Sequence, residues 1–247
     1  MSSELSNERY ARQLILPEIG PDGQERLRAA AVLVIGAGGL GSPALLYLTA
    51  AGVGRIGIVE DDVVDPSNLN RQILYRSEDI GKPKARIAAQ RLQELNPEVA
   101  LEIHQRRFAG QSAYELVSGY DLLLDASDNF TTRSLANEVA VATGKPLVHG
   151  SVRQFEGQAT VFNYQDGPCY RCLFSELPKA KPTVADRAVV GTVPGVIGTI
   201  MANEAIKIIL QIGNPLSGRL LLYDALEMDF RLLKVEKNPK CSVCSGQ

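Results

Sequence analysis

The segment AAVLVIGAGGLGSPALLYLTAAGVGRIGIVE, residues 30–60, decides the fold of this chain. It opens with an uninterrupted apolar run at 30–35, which is typical of a strand buried inside a parallel sheet. A glycine-rich loop follows, then an apolar stretch that predicts a helix from about residue 42 to residue 51, and a β-rich run at 55–60. Strand, loop, helix and strand in this order predict one unit of a nucleotide-binding parallel sheet.

The loop contains the pattern G-x-G-x-x-G, formed by Gly36, Gly38 and Gly41, with a further glycine at Gly39. Glycines permit the tight turn and let a phosphate approach the backbone, while the N-terminus of the following helix offers free N–H groups. Glu60 ends the second strand about 20 residues further on, where a carboxylate hydrogen-bonds ribose hydroxyls in such sites. The loop therefore predicts nucleotide binding, and taken alone it favours NAD or FAD. A glycine turn that only allows close packing of helix on sheet is the alternative interpretation.

The alternation of strands and helices continues to about residue 150. Apolar runs predict further strands at 99–104, 120–125 and 146–149, and helical patterns lie at 7–29 with a break at 20–23, after residue 65, at 81–95 and at 133–143. This alternation predicts an α/β fold with a Rossmann-like, doubly wound, mainly parallel sheet.

The pattern changes in the C-terminal part of the chain. Strands are predicted at 158–164 and 220–225, and a strongly apolar helix at 196–212. A long loop is predicted at 174–190, and loops of that length in compact domains often have a function.

Composition and charge argue against several classes of function. The chain is 45% apolar and 22% charged, which indicates a folded protein with a sizeable core. Its 26 basic and 28 acidic residues give a net charge of −2, so nothing indicates binding to nucleic acid or to acidic membranes. The polar N-terminus has no apolar signal core, and we expect the apolar stretches to be shorter than the ~20 residues that span a bilayer. These features predict a cytoplasmic protein with no nucleic-acid and no membrane partner.

Several polar side chains are predicted at the edge of the sheet where the strands end. Asn68 and Arg71 lie three residues apart just after a predicted helix start, so they share one face of that helix. Lys84 lies at another helix start, where the helix dipole makes a lysine mildly unfavourable unless a phosphate is near. Asp128 follows a strand, at the carboxyl end where open α/β sheets bind ligands. Together they fit a triphosphate with Mg²⁺ better than a nicotinamide.

Each of these charged side chains also has a simpler interpretation, which the sequence leaves open. Arg71 and Lys84 fit solvated surface charges, and Asp128 fits the N-cap of the next helix. Asp125 is undecided between a structural and a functional role. His104 and His149 are interpreted as structural, because no partner spacing indicates a metal site or a catalytic triad.

The four cysteines form two C-x-x-C pairs, Cys169 with Cys172 and Cys241 with Cys244. Two such pairs supply the four thiolates of a tetrahedral zinc site. Because the pairs lie far apart in the sequence, a shared ion would hold the C-terminal tail against the body of the protein. A redox dithiol and disulfides are the alternatives, although disulfides are rare in cytosolic proteins.

Nine short motifs, in order along nearly the whole chain, make the sequence similar to one known family. They are RYARQ (9–13), GAGGLGSP (36–43), SNLNRQ (67–72), GKPKA (81–85), LDASDN (124–129), FEGQ (155–158), CYRC (169–172), EAIK (204–207) and CSVC (241–244). With them the chain resembles the ubiquitin-activating-type adenylyltransferases of the MoeB/ThiF/HesA family, and most of all its MoeB branch. Several collinear motifs make this resemblance far more specific than the glycine loop alone.

The resemblance implies a role in ATP binding for each candidate residue. Glu60 takes the place of the usual aspartate that holds the ribose beside the glycine loop. Asn68, Arg71 and Lys84 match residues that contact the ATP phosphates. Asp128 matches a carboxylate that engages a catalytic Mg²⁺ and is needed for adenylation.

The resemblance also implies an assembly, a structural metal and a domain plan. Arg12 matches an arginine that reaches into the neighbouring subunit's site, so we expect a homodimer with Arg12 as a further catalytic residue. The four cysteines match a structural Zn²⁺ site. We expect one domain over 1–247, with a nucleotide-binding core at about 30–150 and a carrier-binding and zinc part at about 151–247.

The implied reaction is ATP-dependent adenylation of the C-terminal glycine carboxylate of a small ubiquitin-like sulfur-carrier protein of MoaD/ThiS type, which ends in Gly-Gly. It gives an acyl-adenylate and pyrophosphate, ahead of thiocarboxylate formation. If all four cysteines bind zinc, none is left as a nucleophile, so sulfur is expected from a separate donor protein. An NAD-dependent oxidoreductase and a non-catalytic dimeric scaffold are the alternatives. The pathway, whether molybdopterin, thiamin or tRNA thiolation, is not specified by the sequence.

Overall fold

A computed structural model of the protein describes residues 8–175 and 188–245. Its strands are β1 Ala31–Ile35, β2 Arg55–Val59, β3 Ala100–His104, β4 Leu122–Asp125, β5 Leu147–Arg153, β6 Glu156–Phe162, β7 Arg219–Asp224 and β8 Asp229–Lys234. They form one sheet with the order β3-β2-β1-β4-β5-β6-β7-β8. The strands from β3 to β5 in this order pair in parallel, whereas β6, β7 and β8 pair antiparallel to their neighbours. The predicted α/β fold with a Rossmann-like, mainly parallel sheet is confirmed.

Helices cover both faces of this sheet. They are α1 Ala11–Leu14, α2 Gly20–Ala29, α3 Gly41–Ala51, α4 Lys84–Leu95, α5 Gln111–Val117, α6 Phe130–Thr143, α7 Tyr170–Leu173 and α8 Thr192–Leu210, with 3₁₀ turns at Pro66–Asn68 and Ser77–Asp79. One hydrophobic core lies between the sheet and α3, α4 and α8. A second core lies on the other face, beneath α5 and α6. This two-sided covering is the doubly wound arrangement that the alternating pattern predicts.

Strand β1 supplies side chains to both cores. All five of its residues are buried. Val32 and Val34 belong to the core beneath α3, α4 and α8, and Leu33 and Ile35 to the core beneath α5 and α6, because successive side chains of a strand face opposite sides. A strand with an unbroken apolar run is therefore buried on both faces, as β1 is at the centre of the sheet. At the carboxyl end of β1, the chain lies between the ends of β2 and β4, which pair with it on either side.

The structure differs from the predicted helices near the N-terminus and after Asp65. The N-terminal helical region breaks at 15–19, where Pro17 cannot continue a helix, and Gly20 and Gly23 lie inside α2. After Asp65 the chain makes only the 3₁₀ turn Pro66–Asn68 before it turns towards the glycine loop.

Among the described elements, the helices α5 and α7, the strand β8 and the 3₁₀ turn Ser77–Asp79 were not predicted. α5, α7 and the 3₁₀ turn are short, and β8 lies at the edge of the sheet with mostly exposed side chains, so none of them has a clear apolar period. The loop predicted at 174–190 lies mostly outside the described residues.

Helix α8 is 19 residues long and, within the described part of the chain, passes as a candidate membrane span by length and composition alone. The expectation that every apolar stretch is shorter than a bilayer span was therefore wrong for this helix. More than half of its apolar window is buried inside the fold, and Ile197 and Met201 are fully buried in the core. The Glu204 carboxylate on the same helix accepts the Leu216 N–H at 2.7 Å. These are the contacts of a core helix that packs on a sheet.

Candidate active site

The glycine loop runs between the carboxyl ends of β1 and β4. Gly36 has φ +96° and donates its N–H to the Val59 carbonyl at 2.9 Å, and a Cβ at this position would lie 2.9 Å from the Ala126 carbonyl oxygen. Gly41 has no room for a Cβ either, because the Gly36 carbonyl occupies that space. At Gly38 the nearest atom to a Cβ would be 3.6 Å away. Tight turns on both sides thus leave Gly38 open to a ligand at the N-terminus of α3.

The Glu60 carboxylate ties the end of β2 to this loop. It accepts the Ala37 N–H through Oε2 and the Asp62 N–H through Oε1, both at 3.0 Å. A carboxylate oxygen has two acceptor positions, so the half-buried Glu60 retains capacity for ribose hydroxyls. The predicted ribose position thus lies directly beside the glycine loop.

The segment after β2 places Asn68 and Arg71 against the same loop. A capping box closes the 3₁₀ turn, with the Asn68 Oδ1 accepting the Asp65 N–H at 3.1 Å. The Arg71 guanidinium donates to the Ser67 carbonyl at 2.8 Å, and the Arg71 Cγ lies 3.4 Å from where a Cβ on Gly39 would be. Arg71 is half-buried over the loop, so it is not simply a solvated surface charge.

Lys84 is buried, with its side chain only 5% exposed, which contradicts its interpretation as a surface charge. Its ammonium lies 2.6 Å from the Asp62 Oδ2, and its backbone N–H donates to the Asp62 carbonyl at 3.0 Å. Burial raises the pKa of Asp62, but hydrogen bonds from Lys84 and from the Val63 N–H outweigh it, so the pKa lies below its ordinary value. Asp62, which sequence reasoning missed, therefore holds the Lys84 ammonium as a carboxylate at the mouth of the site.

Two further residues at the loop were also missed. The Tyr75 hydroxyl donates to the Ala37 carbonyl at 2.8 Å, and burial, followed by the Glu60 and Asp62 carboxylates, raises the pKa of Tyr75. The side chain of Gln72 is buried next to Gly38, and its Oε1 has no hydrogen-bond partner among the described residues. The pair Arg71-Gln72 in the SNLNRQ motif is the sequence signal that pointed to this position.

Asp128 lies just beyond β4, beside the glycine loop, and its side chain is exposed. Among the described residues it has no hydrogen bond or ion pair. The N-cap of α6 is Asn129, whose Oδ1 accepts the Thr132 N–H at 2.9 Å, so the N-cap interpretation of Asp128 was wrong. The Asp128 carboxylate is thus available to a ligand at the carboxyl edge of the sheet.

Asp125, the last residue of β4, is fully buried and does not face this edge. Its Oδ2 accepts a hydrogen bond from His149 Nδ1 at 2.9 Å, and its Oδ1 accepts one from the Ser127 hydroxyl at 2.6 Å. His149 is only 2% exposed, as expected for the structural role predicted for it.

Arg12 lies far from the glycine loop of its own chain. The neighbouring Gln13 donates to the Gln24 Oε1 at 2.7 Å and to the Ala51 carbonyl at 3.2 Å, which places α1 at the C-terminal end of α3. Because α3 has 11 residues, this end is roughly 16 Å from the loop at its N-terminus. The structure therefore brings together the glycine loop, Glu60, Asn68, Arg71, Lys84 and Asp128, and leaves the exposed Arg12 outside.

The four cysteines come together at a second centre. All four Sγ atoms lie within 4.8 Å of one another, with Cys169 and Cys241 at 3.5 Å, and Cys172 and Cys244 at 3.4 Å. A disulfide requires about 2.05 Å, whereas thiolates bound tetrahedrally to zinc at about 2.3 Å lie roughly 3.8 Å apart. The geometry fits four ligands of one ion and does not fit disulfides. Burial raises the pKa of Cys169 to about 11, so a bound cation would favour the thiolate form of this residue.

The cysteine cluster is also joined to α6. Asn137 is fully buried, and its Oδ1 accepts the Tyr170 N–H at 2.8 Å while its Nδ2 lies 3.8 Å from the Cys169 Sγ. The Asn238 N–H points to the Cys172 Sγ at 3.4 Å. N–H groups directed at sulfur are typical of the surroundings of a metal-bound thiolate.

Comparison with known proteins places this site in a group of relatives. The chain is 55% identical over 247 residues to a sulfur carrier protein adenylyltransferase of Thermus thermophilus, with 97% of this chain and 91% of the relative covered. It is 49% identical over 239 residues to the SAMP-activating enzyme E1 of Haloferax volcanii, with 96% and 88% covered. The probable adenylyltransferase/sulfurtransferase MoeZ of Mycobacterium tuberculosis is 49% identical, but the chain spans only 63% of its length.

Solved structures show the same fold at lower identity. The crystal structure of Escherichia coli MccB with ATP superposes with a TM-score of 0.84 at 22% identity, covering 99% of this chain and 77% of that one. A family model, that of the ThiF family, matches residues 10–243. The match spans the glycine loop, the candidate residues from Glu60 to Asp128 and three of the four cysteines, with Cys244 just beyond its end. The chain belongs to the ThiF family.

Proposed function

We propose that this protein uses ATP to adenylate the C-terminal glycine carboxylate of a small ubiquitin-like sulfur-carrier protein that ends in Gly-Gly. One observation carries the proposal. A buried ammonium, Lys84, and a half-buried guanidinium, Arg71, lie at the same edge of the sheet as an open glycine loop and a carboxylate, Asp128, that has no described protein partner. Fixed cations and an available oxygen ligand suit a polyphosphate with Mg²⁺, whereas a nicotinamide site needs no such concentration of charge.

Each residue has a task in binding ATP. Glu60 accepts the ribose hydroxyls, and the loop with the N-terminus of α3 receives the phosphates. Asn68, Arg71 and Lys84 hold the phosphate chain. When ATP binds, the Lys84 ammonium keeps its hydrogen bond to Asp62 and donates a further one to a phosphate oxygen. Asp128 is an oxygen ligand of the kind that Mg²⁺ takes, and the bound ion neutralises charge on the phosphates.

The reaction is a displacement at phosphorus. A carboxylate oxygen of the carrier attacks the α-phosphorus, the bond from that phosphorus to the bridging oxygen breaks, and pyrophosphate leaves with the electron pair. The attacking carboxylate is already ionised at neutral pH, so no general base is required. Arg71 and Lys84 supply positioning and charge stabilisation, which are the main sources of acceleration in such reactions.

An apolar surface at the same edge of the sheet fits a protein substrate. The turns β5–β6 and β7–β8 are joined there by a hydrogen bond from the Ala225 N–H to the Phe155 carbonyl at 2.9 Å. Phe155, Leu226, Met228 and Phe230 are between 42% and 69% exposed. Contiguous exposed apolar side chains mark sites of protein association. We assign this surface to the carrier.

Leu226→Asp tests the carrier surface. It is expected to raise the KM for the carrier about tenfold or more and to leave the KM for ATP unchanged. Ile103→Asp, at an exposed position on the opposite edge strand β3, is the matched control. Equal effects of the two substitutions would contradict the assignment.

The cysteine cluster is proposed to hold a structural Zn²⁺. The four clustered thiols and the N–H groups around them fit such an ion. Committing all four cysteines leaves none as a nucleophile among them, so the protein is proposed to stop at the acyl-adenylate. A separate protein then donates sulfur for the carrier's thiocarboxylate, in molybdenum-cofactor, thiamin or tRNA-thiolation pathways. We place the protein in the cytoplasm, with no nucleic-acid or membrane partner.

A homodimer with Arg12 acting across the interface completes the proposal. Its support is the position of α1, which cannot place Arg12 in its own site, and the exposed apolar residues Ile15, Leu16 and Tyr47 around it. Mixed dimers of Arg12→Ala and Asp128→Ala subunits test it, because one of their two sites keeps both residues. Mixing two inactive homodimers should restore activity, and absence of restoration would exclude action across the interface.

The overall reaction is tested by ATP–pyrophosphate exchange with a panel of small carriers ending in Gly-Gly. Exchange is expected with at least one carrier, and it should disappear when the terminal glycine is deleted or when Asp128→Ala is introduced. Asp22→Ala, at an exposed position on α2, is the matched control and should exchange normally. No exchange with any carrier, together with hydride transfer from NADH, would replace the proposal by an oxidoreductase. Exchange unaffected by Asp128→Ala would remove the site assignment.

A further inference from the structure

A buried polar cluster lies directly behind Asp128. The Asp125 carboxylate is fully buried, and all of its described hydrogen bonds come from two residues. His149 Nδ1 donates to Oδ2 at 2.9 Å, and the Ser127 hydroxyl and N–H donate to Oδ1 at 2.6 and 3.1 Å. His149 is buried among the rings of Phe162 and Tyr170, whose centroids lie 5.7 and 5.4 Å from its own.

This cluster is costly for folding alone. Burial raises the pKa of Asp125, yet the hydrogen bond from His149 and the nearby Arg133 hold it below its ordinary value, so a carboxylate is buried there. Burial lowers the pKa of His149, which keeps the imidazole neutral with its proton on Nδ1. A buried ionised group costs free energy that apolar residues of the same size avoid. Neither residue reaches the open edge, so neither contacts a bound substrate.

The cluster fixes the backbone on the N-terminal side of Asp128. Ala126 donates its N–H to the Ile35 carbonyl at 2.9 Å, next to the glycine loop. Ser127 is held by Asp125 through its N–H and hydroxyl, and its carbonyl accepts from the Arg133 Nη2 at 3.1 Å.

The C-terminal side of Asp128 is fixed as well, because Asn129 caps α6. Asp128 is therefore the one residue between two anchored neighbours whose side chain has no described partner. A carboxylate held at a fixed position binds a metal–nucleotide complex without first paying the entropy of ordering a loop.

We propose that Asp125 and His149 are positioning residues, which hold the turn at Ser127 so that the Asp128 carboxylate is set for a metal–ATP complex. This inference rests on the proposed function, because it takes Asp128 as the metal-binding carboxylate. It assigns a role in the site to Asp125, His149 and the Ser127 hydroxyl, none of which contacts the reacting atoms. Their substitution should change the metal requirement of the site more than its affinity for the nucleotide.

The test uses the intact protein and Ser127→Ala, which removes one hydroxyl and no buried ring. The half-saturating Mg²⁺ concentration in ATP–pyrophosphate exchange is expected to rise roughly tenfold, as for a displaced catalytic group. The KM for ATP at saturating Mg²⁺ should change less than twofold. Ser127→Thr, which keeps the hydroxyl, should restore the wild-type Mg²⁺ requirement, a rescue that a purely structural role does not predict.

His149→Gln and Asp125→Asn are expected to have larger effects of the same kind. Equilibrium binding of Mn²⁺ in the presence of ATP supplies a readout that does not depend on turnover. His104→Gln is the matched control, since His104 lies on β3 at the edge of the sheet and bonds the Tyr120 hydroxyl at 2.9 Å.

The outcomes separate the two proposals. Metal-dependent ATP binding by the wild type, weakened in Ser127→Ala and restored in Ser127→Thr, supports the inference. Binding unchanged in Ser127→Ala, in His149→Gln and in Asp125→Asn overturns the inference and leaves the proposed function intact. A wild type that binds no metal with ATP overturns both. A Ser127→Ala protein that loses thermal stability with an unchanged metal requirement assigns the cluster to folding alone, and so also overturns the inference.

Discussion

Lys84→Met separates the contribution of Lys84 to catalysis from its contribution to folding. The substitution removes the ammonium that lies 2.6 Å from Asp62 and places an apolar side chain of similar length at the same buried position. Removing one partner of a buried ion pair is usually costly, because the other charge is left without water. Here the Asp62 side chain is 63% exposed, so water replaces the lost partner. We therefore expect the free energy of unfolding to fall by only about 1 kcal/mol, which corresponds to roughly 2–4 °C in Tm for a protein of this size.

The catalytic effect should be much larger. A hydrogen bond between an ammonium and a phosphate oxygen is worth about 1.5–3 kcal/mol, which corresponds to roughly a 10- to 150-fold loss in kcat/KM. The assay is ATP–pyrophosphate exchange with a saturating carrier, alongside thermal unfolding of the same preparation. Lys82→Met is the matched control, because Lys82 is two residues away, is 51% exposed and pairs with Asp79 at 3.3 Å.

The control is expected to retain wild-type exchange within a factor of two, because Lys82 is half exposed and its partner Asp79 keeps a second ion pair with Arg91. Two results would refute the reasoning. Exchange in Lys84→Met equal to that in Lys82→Met would mean that the buried ammonium does not meet the phosphates. A fall in Tm of 10 °C or more in Lys84→Met, with a proportionate loss of folded protein, would mean that its role is structural.

Three further results are expected. Gly36→Ala should lower the free energy of unfolding by roughly 1–3 kcal/mol, because φ is +96° and a Cβ would lie 2.9 Å from a carbonyl oxygen. Gly38→Ala, by contrast, should show a wild-type thermal melt and a lower affinity for ATP. Equal Tm values for the two variants would contradict this expectation. Cys241→Ser should lose the bound zinc measured by elemental analysis and lower Tm, and full zinc content in the variant would argue against the four-thiolate site. Burial, followed by the nearby Arg106, lowers the pKa of His104 below 6.5. The neutral imidazole therefore contributes stability above about pH 6.5, and this stability is lost as the pH falls through the lower pKa of the folded state. The urea midpoints of unfolding at pH 7 and pH 5 should differ less in His104→Gln than in the wild type.

Much of the site could be predicted from the sequence because its signals are local. The strand, the glycine loop and α3 are continuous in sequence, and the positive φ of Gly36 and the contact between Gly41 and the Gly36 carbonyl arise within that short segment. Asp128 follows its strand directly, so its place at the carboxyl edge needs only the strand prediction. The same logic placed Lys84 at the start of α4. It did not reveal that Lys84 is buried.

The rest depends on contacts between distant parts of the chain. The partner of Lys84 is Asp62, which comes from the end of a different strand and has no motif of its own. Asp125 and His149 face each other only because β4 and β5 are neighbours in register. The N-cap of α6 is Asn129 and not Asp128, as one interpretation of the sequence had it. Either side chain can cap a helix, and the backbone geometry decides between them. Local patterns carry no information on such pairings.

The split between the two cysteine pairs has a consequence for biosynthesis. Cys169 and Cys172 are translated long before Cys241 and Cys244, and the four sulfur atoms meet only when the tail folds back on the body. During translation, the first pair offers an ion two thiolates of the four that a structural site needs. Loading of a four-thiolate metal site is therefore a late event, and a chain truncated before residue 241 lacks two of its four ligands.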